Sequence, residues 1–127
     1  MRGADEIWHL GDVCAPESLD EFLALGPPLV VIQGNCDEDG TWPLSLTLER
    51  EGVKFFLVHI PPAATDVPKG MVAVLHGHTH MPRDEVIRGV RWLNPGCITR
   101  PKGDAGRSFA WLTVQDGKLT SWEFVRV

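Results

Sequence analysis

The chain has 127 residues, 43% hydrophobic and 23% charged, the size and balance of one globular domain with one core. Its formal charge of −5, with basic residues scattered and densest at Arg100, Lys102 and Arg107, argues against a general nucleic-acid surface, because phosphate neutralisation needs clustered cations. No apolar run approaches the ~20 residues of a membrane helix. The first six residues carry no apolar signal region, so a cytoplasmic location is expected. Cys14, Cys36 and Cys97 are odd in number and widely spaced, which fits a reducing compartment better than a disulfide framework.

Residues 5–10 read as a buried strand, and residues 16–25 as a short helix with Pro16 at its start and Gly26-Pro27 as its stop. Residues 29–32 form a second apolar run. Leu44, Leu46 and Leu48 alternate with Ser45, Thr47 and Glu49, as in a strand with one wet face, and Glu51-Gly52 turns this strand into residues 53–58. The stretch from His59 to Met71 is rich in Pro and Ala and reads as a loop. Residues 71–75 form a strand. Residues 85–87 and 90–93 form a hairpin across Arg88-Gly89, and residues 109–114 and 119–125 another across Asp116-Gly117. The first half reads as strand-helix-strand and the second as mostly antiparallel strands. A two-layer sheet sandwich with helices outside would accommodate both.

The chemistry gathers where the apolar runs end. Gly11-Asp12 follows the first, Gly34-Asn35 the second, His59 closes the fourth strand, and Gly77-His78-Thr79-His80 follows the fifth. Open α/β sheets place their sites at such strand ends. One carboxylate, one amide and several imidazoles suit Mn, Fe, Ni or Zn better than Ca or a thiolate-held metal. Taken singly, Gly-Asp or Gly-Asn is a turn signal and His-x-His often a surface loop; it is the ordered set of four that points to a metal site. His9 and His76 lie inside apolar runs and read as buried, hydrogen-bonded residues that orient ligands. Cys14 and Cys36 lack Cys-x-x-Cys spacing and read as buried small hydrophobes. Asn94-Pro95-Gly96 reads as a turn after a strand, in preference to a loop that approaches phosphate or supports the His pair.

The order Gly-Asp, Gly-Asn-Cys-Asp (residues 34–37), His59, Gly-His-Thr-His and Leu-Asn-Pro-Gly (residues 93–96) closely resembles the calcineurin-like metallophosphoesterases, above all their small bacterial and archaeal phosphodiesterase branch. The resemblance spans essentially the whole chain, which is expected to be a single domain over residues 1–127. It implies an α/β fold, an αββα sandwich of two mixed sheets, and two divalent metals, Mn being the first expectation and Fe, Ni or Zn alternatives. It assigns Asp12 as the bridging ligand, Asn35, His59 and His78 as the other ligands of the second metal, and His80 as a ligand of the first. Asp12, Asn35 and His78 then carry catalysis, and Cys36, at a position where many relatives have His, adjoins the substrate. The implied reaction is phosphodiester hydrolysis by a metal-activated hydroxide, with metals about 3.5–4 Å apart polarising the phosphoryl oxygens. A small phosphodiester or phosphomonoester is the expected substrate.

The family begins with a strand bearing Asp-x-His and a long helix, and no Asp-x-His occurs in this chain. On that template the fold lacks its first strand and helix, roughly thirty residues, and the first metal keeps Asp12 and His80 alone. One or two metals are therefore expected. The alternative reading is a catalytically weak or inactive metal-binding scaffold of the same fold, and an uncovered strand edge would favour a homo-oligomer.

Overall fold

The computed structural model describes residues 4–11, 24, 26–34, 42–79, 81–96 and 108–126. Nine strands account for most of them: β1 (Ile7–His9), β2 (Leu29–Val31), β3 (Ser45–Arg50), β4 (Val53–Val58), β5 (Ala73–Leu75), β6 (Arg83–Ile87), β7 (Val90–Asn94), β8 (Ser108–Gln115) and β9 (Lys118–Arg126). Strands β3-β4-β5-β7-β6 form a mixed sheet in that order, parallel through β4, β5 and β7 and antiparallel at both edges. All three residues of the central strand β5 are buried, as expected where a parallel strand is covered on both faces. The mixed sheet expected from the sequence is thus present.

One face of this sheet carries Val53, Phe55 and Leu57 of β4, Ala73 and Leu75 of β5, and Leu93 of β7, joined by the partly buried Leu46 and Leu48 of β3. The registers Leu48↔Phe55, Phe55↔Ala73 and Leu75↔Leu93 put these residues side by side. Against that face pack Leu10, Ile32, Trp8 and Val30 from the parallel pair β1–β2, and Leu112, Val114, Leu119 and Trp122 from the antiparallel pair β8–β9. Trp8 meets Phe55 edge to face at 5.4 Å between ring centroids. This is a two-layer core. Among the described residues no ladder joins β1–β2 to β8–β9, so the second layer is two ribbons seated by side-chain packing rather than one mixed sheet.

Helix is scarce among the described residues. The one helical element is the 3-10 turn Ala64–Asp66, inside the Pro-rich loop. The expected helix over residues 16–25 falls, Ala24 apart, outside the described residues, so the outer helical layers of an αββα sandwich are not borne out here. No described helix is long and apolar enough to cross a membrane.

The strand bounds need small corrections. Leu44 is 75% exposed and precedes β3, because the alternation reaches the core only from Leu46 onward. Strand β6 begins at Arg83, two residues earlier than its apolar content suggests, since the ladder to β7 continues to the pair Arg83↔Asn94. At the other edge of the domain Glu6 accepts two hydrogen bonds from Arg50, 2.6 Å from Nε and 2.8 Å from Nη2, which ties the start of β1 to the end of β3.

Candidate metal centre

The C-terminal ends of β1, β2, β4 and β5 meet at one place. Gly11 has φ +98°, and a Cβ there would lie 2.7 Å from His59 Nδ1 and 2.8 Å from Gly34 Cα. A Cβ at Gly77 would lie 3.1 Å from the Leu10 carbonyl oxygen and 3.3 Å from His59 Nδ1. These glycines are needed because three backbones and an imidazole occupy the space a side chain would fill. Gly11 thus lies against Gly34 and His59, and Gly77 against the Leu10 carbonyl and His59.

His59 is buried, and its Nδ1 lies 2.7 Å from the Leu10 carbonyl oxygen. Since a carbonyl can only accept, Nδ1 carries the proton and the lone pair sits on Nε2, the tautomer of a histidine that ligates a metal. The His78 ring stands edge-on to it, 5.2 Å between centroids. His78 itself has φ +66°, left-handed backbone that a non-glycine residue adopts at a cost and that clusters at functional sites.

The loop bearing His78 is held from below. The Gly77 amide donates to the His59 carbonyl at 3.0 Å. The Gly77 carbonyl accepts from His76 Nδ1 at 2.9 Å and from Asn94 Nδ2 at 3.2 Å. Asn94 Nδ2 also reaches Thr79 Oγ1 at 3.0 Å, and Asn94 Oδ1 accepts from the Gly96 amide at 2.9 Å. Asn94 is fully buried, so each of these bonds replaces water it has lost. His76 is buried too, and its Nε2 accepts from Arg83 Nη1 at 3.0 Å. Burial, with smaller help from the Arg83 and His59 charges, holds the His76 imidazole below its ordinary value of 6.5, against the pull of the Gly77 carbonyl and Glu85. With Arg83 donating to it, Nε2 keeps its lone pair. On the β2 side, buried Gln33 accepts from the Trp42 amide at 3.2 Å.

Of the sequence-derived ligands, the structure brings His59 and His78 together. Asp12, Asn35, Cys36 and His80 lie outside the described residues, as does Cys14. Among the described residues, no three His, Cys, Asp or Glu side chains form a group that could hold a metal. The donor chemistry fits a divalent metal nonetheless: a buried imidazole whose tautomer is fixed by a backbone carbonyl is a common arrangement for a metal-ligating histidine. His76 has the buried, bonded role expected from its sequence context. His9 is only partly buried, its Nδ1 3.2 Å from the Gly11 amide, because β1 ends there and leaves the ring at the rim. Asn94 does more than turn the chain: it holds the loop that bears His78; its support of the pair His78 and His80, the less favoured expectation, lies partly outside the described residues. Arg83 belongs to the site as well, and its place in an exposed polar strand gives no sequence signal for it.

Comparison with known proteins places this geometry. Residues 1–117 match the calcineurin-like phosphoesterase superfamily domain. The chain is 30% identical over 119 residues to the probable metallophosphoesterase YsnB of Bacillus subtilis, across 84% of this chain and 69% of that protein. In structure it is similar to a predicted phosphoesterase from Streptococcus pneumoniae, with a TM-score of 0.75 and 23% identity over 98% of this chain and 75% of that one. It is likewise similar to wild-type Vps29 from Entamoeba histolytica, solved in complex with zinc, with a TM-score of 0.73 and 21% identity over 97% of this chain and 81% of that one. Strand ends that meet at glycines around a tautomer-fixed histidine, on a chain matched over nearly its whole length, make this protein a member of the calcineurin-like phosphoesterase superfamily.

Proposed function

We propose that the chain is a metal-dependent phosphoesterase acting on a small phosphodiester, with a phosphomonoester as the related substrate. The observation that carries this reading is the meeting of Leu10–Gly11, Gly34, His59 and Gly77 at four strand ends, with the His59 tautomer fixed by the Leu10 carbonyl. In this reading Asp12, Asn35, His59 and His78 would hold one metal, and Asp12 with His80 would hold another. Mn is the metal favoured by the ligand set, with Fe, Ni or Zn as substitutes. When bound, the metal supplies Lewis acidity at a phosphoryl oxygen and acidifies the attacking water.

The chain's own residues do the holding. His59 has committed its Nδ1 proton to Leu10, so it fixes position and gives no proton to a leaving group from that atom. His78 projects from a peptide clamped by His76 and Asn94, which limits how far its ring can wander. Cys36, next to Asn35 in sequence, would meet the substrate. A thiol there cannot act as the cation that a histidine would be, so turnover is expected to be slow. The outer helices of an αββα sandwich, a cytoplasmic setting and self-association belong to the same proposal.

The test is hydrolysis of bis-p-nitrophenyl phosphate by the purified chain with Mn, Fe, Ni or Zn added singly. Asp12→Ala should abolish turnover, and unchanged turnover in that variant rejects the mechanism. Metal analysis should show Asn35→Ala depleted and Cys36→Ser nearly unchanged; equal losses would make Cys36 a ligand. A wild-type protein that binds metal and hydrolyses nothing would leave the scaffold reading.

A further inference from the structure

A side chain outside the ligand set, Arg83, lies against the residues that hold the His78 loop. Arg83 and Asn94 are directly paired across the β6–β7 ladder, so both project from one rung toward the loop after β5. Asn94 grips the Gly77 carbonyl itself. Arg83 acts one residue away: its Nη1 is 3.0 Å from His76 Nε2, while Nδ1 on the far side of that ring is 2.9 Å from the same Gly77 carbonyl. The guanidinium has no acceptor, so Nε2 must hold a lone pair and Nδ1 the proton. Only that tautomer can donate to Gly77. The guanidinium is in turn held in place, 5.0 Å over the Trp92 ring and ion-paired with Glu85.

We propose that Arg83 is a positioning residue for His78. By donating to His76 Nε2 it selects the imidazole tautomer whose Nδ1–H clamps the Gly77 carbonyl, and so sets the plane of the peptide from which His78 projects. The Gly77 carbonyl and the His78 amide share that plane. Rotating it changes φ at His78, which already stands in left-handed backbone at +66°. The Gly77 carbonyl also accepts from the Thr79 amide at 2.8 Å, and the two buried side-chain donors add to that local bond in holding a conformation that the residue type alone would leave. The tautomer claim stands on its own; its consequence for metal binding rests on the proposed function.

The experiment separates the two. Long-range nitrogen-proton NMR spectra of the full chain without metal should show His76 as the neutral Nδ1–H form. In Arg83→Met, which keeps the apolar stem over Trp92, the Nε2–H form should appear. Arg83→Lys retains a donor and should restore the wild-type pattern. Titration with Mn should then show affinity about 10-fold or more weaker in Arg83→Met, and within about threefold of wild type in Arg83→Lys. Glu85→Gln removes the ion pair, leaves the donation to His76, and should leave both readouts at wild type. An Nε2–H form in the wild type overturns the proposal whether or not any variant folds. So does an unchanged tautomer in Arg83→Met, or an altered tautomer with unchanged Mn affinity. If the wild type takes up no Mn, Fe, Ni or Zn, the proposed function falls, and the tautomer spectra still decide the role of Arg83.

Discussion

Left-handed backbone occurs in the hairpin turns of β3–β4, β6–β7 and β8–β9 and again at the site, and it is secured in different ways. In the turns, Glu51 (φ 53°), Arg88 (φ 50°) and Asp116 (φ 52°) are each followed by a glycine at φ 77–79°. The registers Arg50↔Val53, Ile87↔Val90 and Gln115↔Lys118 make all three two-residue hairpins, and positive φ at both central positions is the type I′ turn that matches strand twist. The neighbouring glycine and the ladder are enough. At the site, His78 sits at φ 66° in no hairpin. One local bond closes the turn, from the Thr79 amide to the Gly77 carbonyl at 2.8 Å, and tertiary contacts add to it: Asn94 from β7, His76 backed by Arg83 from β6, and the His59 carbonyl. A turn whose geometry is local tolerates change around it; a site whose geometry is assembled from four strands does not.

The sharpest way to break this contrast is one methyl group in each setting. Gly11→Ala at the site places a Cβ against His59 Nδ1 and Gly34 Cα and leaves φ at +98°. Overpacking and left-handed strain together should cost about 2–4 kcal/mol. Gly89→Ala in a turn meets no atom within 4 Å, so only strain remains, about 1 kcal/mol. Urea denaturation of both variants measures the gap, and equal losses would show that the site is no more crowded than a turn.

Asn94→Ala comes next. It leaves Thr79 Oγ1 and the Gly96 amide without their buried partner and removes one of the three donors to the Gly77 carbonyl. Loss of about 1–3 kcal/mol in stability is expected, together with weaker metal uptake. A variant that loses stability and keeps full metal affinity would show that Asn94 serves the fold alone.

How far these features could be read from sequence follows the same division. The X-Gly hairpins at residues 51–52, 88–89 and 116–117 were legible because two adjacent residues determine them. The pairing of His59 with His78 was legible because each ends an apolar run. The roles of Asn94 and Arg83 were not, since they depend on the β6–β7 register and on where the loop after β5 comes to rest, and neither leaves a local pattern. Leu44 misled for a related reason: alternation tells which face a residue would occupy but not where the partner strand ends. The second sheet was expected as one layer; among the described residues it is two ribbons, because sequence pattern identifies strands and not the ladders between them.

His78→Gly and Arg88→Gly sharpen the comparison with a smaller effect. Glycine relieves left-handed strain in the folded state but adds freedom to the unfolded chain, so each should change stability by about 0.5–1 kcal/mol or less. Both residues are exposed, so little packing is lost. Only His78→Gly should lose metal binding. If it instead unfolds the metal-free protein, the His78 ring is structural and its backbone conformation no mark of function.

The smallest expected effect tests a turn by the charge beside it. Glu6 and Arg50 form a two-pronged ion pair where β1 begins and β3 ends, remote from the glycines around His59. The Arg50 hydrogen bond, opposed by burial and aided by the Arg50 charge, holds the Glu6 carboxyl below its ordinary value of 4.5. The pair is partly exposed, 38% for the Arg50 side chain and 25% for Glu6, so water and salt screen it. Glu6→Gln should therefore cost only about 0.5 kcal/mol near neutral pH. The sign of its pH dependence is fixed by the direction of the shift. Folded Glu6 binds its proton less readily than unfolded Glu6, so its contribution is complete above pH 4.5 and disappears as pH falls through the folded-state value. Wild type and Glu6→Gln should differ at pH 7 and converge in acid, with the difference shrinking in high salt. A difference that persists below the carboxylate range would mean that Glu6 seats β1 on β3 by packing rather than by charge. The turn would then depend on tertiary contacts much as the site does.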